Sequence, residues 1–302
     1  YPKEIDHRVR TALHKSIIWR EQVLRCTDQK RLTQLGVLPV TSANRPRRPL
    51  SAKRSAAWNE PVKCRLCLQD RELRLSHIMP EFLYKPLYGY RHRVWSVHSN
   101  LPYVRFLRKG LRERLLCDEC EALLNHYEEY FFNLWYGDNG LPSVLPAGVS
   151  TIIRSDLDYR MFKLFHLSIL WRAGVASLDA FQFVNLGPHE ERLRHMLYNG
   201  DPGTTREYRL AASILLRPGS REVHSGVIGV PMRRHHEGVW VYSSVYAGCI
   251  WHCIISGHTG ATIDFQVFCD DGTLSMMPIE ITQISFLDKM LRKARTKTKP
   301  RA

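Results

Sequence analysis

Four of the chain's eight cysteines stand in two Cys-x-x-Cys pairs, Cys64/Cys67 and Cys117/Cys120. Two such knuckles supply four thiolates, a full tetrahedral shell for a structural Zn²⁺. A redox reading needs only one pair and a thioredoxin-like setting, which neither pair has. Cys26, Cys249, Cys253 and Cys269 show no partnered spacing beyond the short gap between Cys249 and Cys253. The two knuckles are 49 residues apart, so a further element must lie inside the loop that the metal closes. Inside that gap lies the segment Ser76-His77-Ile78-Met79-Pro80. Taken alone, His77 can cap a knuckle or fill a slot in the core. Just past the second knuckle, Glu121, Asn125 and Glu128 are spaced i, i+4, i+7 and share one helix face. Acids at a helix start are also favoured by the helix dipole, so this face has a purely structural reading too.

In order, the chain reads C-x-x-C, then Ser76-His77-Ile78-Met79-Pro80, then Leu115-Leu116-Cys117 and Cys120-Glu121 opening a helix. This ordered set, spanning Lys63 to Trp135, resembles the HNH endonuclease superfamily with its ββα-metal fold, and in particular a zinc-stabilised branch. The resemblance implies that His77 is the general base that deprotonates a water for attack on phosphorus. A neutral imidazole suits that work near pH 7. The residue before that histidine is usually an Asp or His holding a divalent cation, and here it is Ser76, a poorer ligand for Mg²⁺. The residue after the last cysteine is usually His or Asn on the same metal. Here it is Glu121, whose carboxylate can take Mg²⁺ or Mn²⁺. Asn125 and Glu128 would complete an oxygen-rich site facing His77. The family's middle Asn is replaced by Arg112, which can clamp a phosphate. The resemblance thus implies a hydrolase that cuts phosphodiester bonds. Ser76 and Arg112 favour an alternative, a zinc-stabilised nucleic-acid-binding module without cleavage. A third reading is an interaction scaffold whose C-terminal region recruits a protein partner.

The surrounding elements agree with a polyanionic partner. The net charge of the 302 residues is +15. Residues 1 to 116 hold 25 Lys and Arg against 9 Asp and Glu, residues 117 to 288 hold 12 against 20, and the tail adds seven basic residues. A basic first third and tail around an acidic body point to nucleic acid, with duplex DNA the expected form. Arg45, Arg47, Arg48, Lys53 and Arg54 lie in a Pro-, Ser- and Arg-rich arm. Arg91, Arg93 and Arg112 add to the expected binding set. Tyr84, Tyr88, Tyr90 and Trp95 interleave with Lys85, Arg91 and Arg93, a mix that serves either base stacking or packing under a long loop.

The expected fold is α+β. A basic helix and arm (1–60) precede a zinc-knuckle ββα unit (61–137). A mixed domain of helices followed by an antiparallel sheet (150–290) comes next, then a basic tail (291–302). Helices are expected at Glu119 to Trp135, with Leu123, Leu124, Tyr127, Phe131 and Leu134 inward, at Asp158 to Val175, and at His189 to Tyr198. Strand patterns run at Tyr208 to Leu216, Val223 to Pro231, Val239 to Ala247, Cys249 to Ser256, Thr262 to Phe268 and Leu274 to Ile281. His235-His236 and Asp270-Asp271 read as polar turns. The longest apolar run, Val239 to Ser256, is broken by Tyr242, Ser243, Ser244 and His252, so no membrane span is expected. The opening Tyr1-Pro2-Lys3-Glu4 has no apolar stretch of the secretory kind, which makes a cytoplasmic setting the expectation.

Overall fold

The computed structural model describes residues 63–88, 93–97, 104–236, 239–255 and 267–298. Outside them lie the helix expected within 4 to 33, the arm with Arg45, Arg47, Arg48, Lys53 and Arg54, Arg91, most of Thr262 to Phe268, and the end of the basic tail.

Strand β1 (Arg74–His77) pairs antiparallel with β4 (Arg112–Leu116), placing His77 opposite Arg112 and Ser76 opposite Glu113. Between them come a short helix α1 (Glu81–Tyr84) and a hairpin of β2 (Arg93–Val97) and β3 (Val104–Arg108). Helix α2 (Asp118–Tyr136) follows β4 directly, so the second cysteine pair sits where the ribbon meets the helix. Its buried stripe is Cys120, Leu124, Tyr127, Phe131 and Trp135. Leu123 and Leu134, also expected inward, pack half-buried against the same core, and Trp135 takes the last fully buried place, where the 3.6-residue period carries the stripe. The indole N–H of Trp135 donates to the Ala247 carbonyl at 3.0 Å.

Helix α3 (Tyr159–Val175) starts where the Asp158 carboxylate accepts the Met161 N–H at 2.9 Å. Its residues from Phe162 to Ala173 are all buried, which makes it the central helix of the chain. Phe131 of α2 stacks on Phe165 of α3 with centroids 4.0 Å apart, and the same ring meets Tyr246 and Trp251 edge-on. One cluster of buried side chains therefore runs from Cys64 through α2 and α3 to Met276, across the Gly- and Pro-rich segment 137–148. Helix α4 (His189–Asn199) ends on Gly200, whose left-handed φ of 65° closes the last turn.

The large sheet combines β5 (Ile152–Arg154), β6 (Arg209–Leu216), β7 (Gly229–His236), β8 (Val239–Tyr246), β9 (Cys249–Ile255) and β10 (Leu274–Glu280) in the order β5-β10-β6-β9-β8-β7. Its β6 and β10 run parallel, so the sheet is mixed and not purely antiparallel as expected. A second correction concerns β7, which begins at Gly229 rather than Val223 and includes His235 and His236, expected to form a turn. The strand holds because His235 lies opposite Trp240 and packs edge-on against it at 4.8 Å, while the Arg233 guanidinium sits 3.6 Å from the same ring. Asp270 and Asp271 do occupy a turn, where the Asp271 carboxylate accepts the Thr273 N–H. Helix α5 (Ser285–Thr298) closes the described chain. No helix among the described residues is long and apolar enough to cross a membrane.

Lys163 is an unusual member of the core. Its ammonium donates to the Tyr159 hydroxyl at 2.8 Å and the Thr204 carbonyl at 2.7 Å, and burial pushes its pKa down to about 8. An unfolded lysine keeps its proton up to about 10.5, so between pH 8 and 10.5 the unfolded chain holds the extra proton. Stability from this residue is therefore expected to rise with pH across that window. Urea midpoints at pH 7.5 and 9.5 for the parent and Lys163→Met check this. A difference between the two proteins that is independent of pH would refute it.

A candidate metal centre and its histidine

The first knuckle is a tight turn. The Cys64 N–H donates to the Gln69 carbonyl, the Leu68 N–H donates to the Cys64 carbonyl, and Leu68 takes a left-handed φ of 62° to close it. The second knuckle uses the junction of β4 and α2. Cys117 occupies the N-cap position and Cys120 lies in the first helical turn. The two knuckles are tied by the Arg65 N–H donating to the Leu115 carbonyl, and by the Cys117 N–H, which points at the Cys64 sulfur at 3.4 Å. Arg74 grips Asp118, with its Nη2 2.6 Å from Oδ2, and Arg71 pairs with Glu119, so the strand side is braced to the helix start. From outside this unit, Arg194 of α4 donates to the Leu66 carbonyl at 2.6 Å.

The ligand atoms of Cys64, Cys67, Cys117 and Cys120 all lie within 4.8 Å of one another, and the Cys67 and Cys117 sulfurs are 3.9 Å apart. Zinc–sulfur bonds of about 2.3 Å in a tetrahedron require sulfurs about 3.8 Å apart, so the cluster fits the ion. The Cys120 thiol and the N–H groups of Cys67, Cys117 and Leu66 together hold the Cys64 thiol well below its ordinary range. Backbone donors aimed at a sulfur are what a thiolate ligand needs.

His77 is held at both ends. Its Nε2 lies 2.9 Å from the Lys109 carbonyl. A carbonyl can only accept, so Nε2 carries the proton and Nδ1 presents its lone pair. Lys109 has a left-handed φ of 57° and is followed by Gly110 at 72°, and a side chain at Gly110 would strike the Tyr84 ring. That turn aims the carbonyl at the imidazole. Burial, opposed by the Lys109 bond and Glu81, holds the His77 pKa below its ordinary value. The histidine is therefore neutral at pH 7. Its own carbonyl accepts from Arg172 Nη1 at 2.8 Å.

The expected oxygen ligands are distributed unevenly. Glu121 is half-buried, and its Oε1 is enclosed without a hydrogen-bond partner. Ser76 is likewise buried, with its Oγ unpartnered. Asn125 is exposed and donates to Glu129 at 2.6 Å. Glu128 is already paired with Arg172 at 2.8 Å. The face read from i, i+4, i+7 spacing thus yields one unpaired carboxylate oxygen, not three free ligands. Arg112 is half-buried opposite His77, and Arg93 opens β2. Tyr84 is buried in the core, and Tyr88 contacts Glu81, so these two serve packing rather than an open stacking face.

Sequence reasoning missed Arg172. The available signal was a lone charge within the otherwise apolar Ile169-Leu170-Trp171-Arg172-Ala173, since a buried arginine requires a partner. No family model, curated protein or solved structure matches the chain.

Proposed function

We propose that this chain is a metal-dependent endonuclease of the HNH type that hydrolyses phosphodiester bonds in duplex DNA. The observation that carries the reading is His77, neutral and fixed through Nε2 on the Lys109 carbonyl, with Nδ1 left to accept a proton. In the reaction a water gives its proton to His77 Nδ1 while its oxygen bonds to phosphorus. The bond from phosphorus to the leaving oxygen breaks, and that oxygen takes up a proton from solvent. Glu121, with an enclosed unpaired oxygen, would hold the divalent cation, Mg²⁺ or Mn²⁺. When bound, that cation supplies charge stabilisation at the phosphate oxygens. Zinc at the four cysteines fixes the ribbon against α2.

Two observations favour a second reading, a nucleic-acid-binding module without cleavage. Glu128 is occupied by Arg172, and Ser76 brings a hydroxyl where a carboxylate would bind metal more strongly. Plasmid nicking with Mg²⁺ or Mn²⁺ separates the two: cleavage supports the nuclease, and DNA binding without any cut leaves the module.

Both readings call for electrostatic DNA binding, and the basic arm is its expected seat. Neutralising Arg45, Arg47, Arg48, Lys53 and Arg54 together is expected to flatten the salt dependence of binding. Each phosphate that the arm no longer neutralises reduces the slope of log K against log salt by about 0.9. A titration series from low to moderate salt that gives the parent's slope would remove the arm from the interface.

A further inference from the structure

We infer that Arg172 of α3 is a positioning residue for His77, so that the candidate site is completed by a helix outside the zinc unit. The inference rests on the nuclease reading for its catalytic consequence, but its geometry is independent of it. Arg172 is 1% exposed, and its guanidinium is spent on fixed partners. Nε and Nη2 reach Ser168, one turn back on its own helix, at 3.3 Å. Nη2 also pairs with Glu128 of α2 at 2.8 Å, and Nη1 donates to the His77 carbonyl at 2.8 Å. One planar group thus joins three elements: α3, α2 and the end of β1.

The His77 carbonyl matters because the chain leaves β1 there. Ile78 donates to the Leu111 carbonyl, and the backbone then bends toward Pro80 and α1. The His77 carbonyl and the Ile78 N–H belong to one planar peptide unit, which Arg172 and Leu111 thus hold from opposite edges. With the ring held at Lys109 and the carbonyl held at Arg172, the direction of Nδ1 is determined. A misplacement of about 1 Å at a reacting group can cost about 10²-fold in rate. Glu128 holds the guanidinium from the far side, and burial opposes the charge on that carboxylate while Arg172 favours it. A lysine would keep the charge but lacks the fork that serves Glu128 and His77 together.

The test uses the full zinc-loaded chain with Arg172→Lys and Glu128→Gln. Two readouts are taken: nicking kinetics with Mn²⁺, and the ¹⁵N shifts of the His77 imidazole, assigned by their loss in His77→Gln. The parent is expected to show the Nε2–H tautomer. Arg172→Lys is expected to keep zinc content and DNA affinity, lower kcat about 10- to 100-fold with KM unchanged, and give averaged His77 nitrogen shifts. Glu128→Gln is expected to do the same to a smaller degree. A role confined to stability would lower the melting temperature and leave the tautomer and kcat of the folded protein intact, which would overturn the inference. If the parent does not cut but the His77 shifts still average in the variants, the nuclease reading falls and the positioning role stands. If the parent cuts and both variants match it in kcat and tautomer, the positioning role falls alone. Should Arg172→Lys fail to fold, Glu128→Gln decides by the same two readouts.

Discussion

His77→Ala is expected to lower DNA cleavage by about 10²- to 10⁴-fold, the range for removing a positioned general base. Zinc content and DNA affinity are expected to stay at parental values, because His77 is not among the clustered sulfur ligands and its ring meets the Lys109 carbonyl and the edge of Glu81. The pH profile gives a second handle. Burial lowers the His77 pKa, and the active form is the deprotonated one, so kcat/KM is expected to be flat through pH 7 and to fall only below pH 6.5. Nicking assays of parent and variant across pH 5 to 8 decide the matter. Equal rates in the two proteins would remove His77 from the chemistry.

Removal of zinc is expected to have the largest effect on the fold. Structural Zn²⁺ contributes apparent binding energies of about 10 to 16 kcal/mol in zinc-finger peptides at pH 7, and that energy is folding energy. Here Cys64, Cys117 and Cys120 belong to the same buried cluster as Phe131, Phe165 and Trp251, so an ion held by them would brace more than a loop. Chelation, or Cys117→Ser, is expected to lower the melting temperature by roughly 10 °C or more, a loss of several kcal/mol in a chain of this size. Protein that purifies without zinc by elemental analysis, with all four thiols reactive while it remains folded, would end this reading.

Features with a local signature were legible in the sequence. The four cysteines announced their cluster because ligand spacing within each pair is set by one turn of chain. The stripe of α2 and the Asp158 cap of α3 follow from helical period and capping chemistry, both of which act within a few residues. The direction of β10 beside β6 was not legible, since alternation fixes which face a side chain takes and says nothing of strand sense. His235 was mistaken for a turn residue because its partner Trp240 is visible only once the hairpin register is known. The pairing of Glu128 with Arg172 was hidden for a related reason: each lies on its own helix, and no period links two helices. The same pairing explains why the oxygen-rich face expected on α2 is smaller than its spacing implies.

The continuous aromatic core also bears on how the chain is made. Helix α2 leaves the ribosome with Phe131 and Trp135 facing outward, and their partners on α3 follow within a few tens of residues. Tyr246 and Trp251, which seal the other side of Phe131, come more than a hundred residues after it. At roughly 5 to 20 residues per second, the helix waits on the order of ten seconds with an oily flank uncovered. The cysteine knuckles are complete before that wait begins, so metal capture there can secure the base of the nascent helix while its flank is still uncovered.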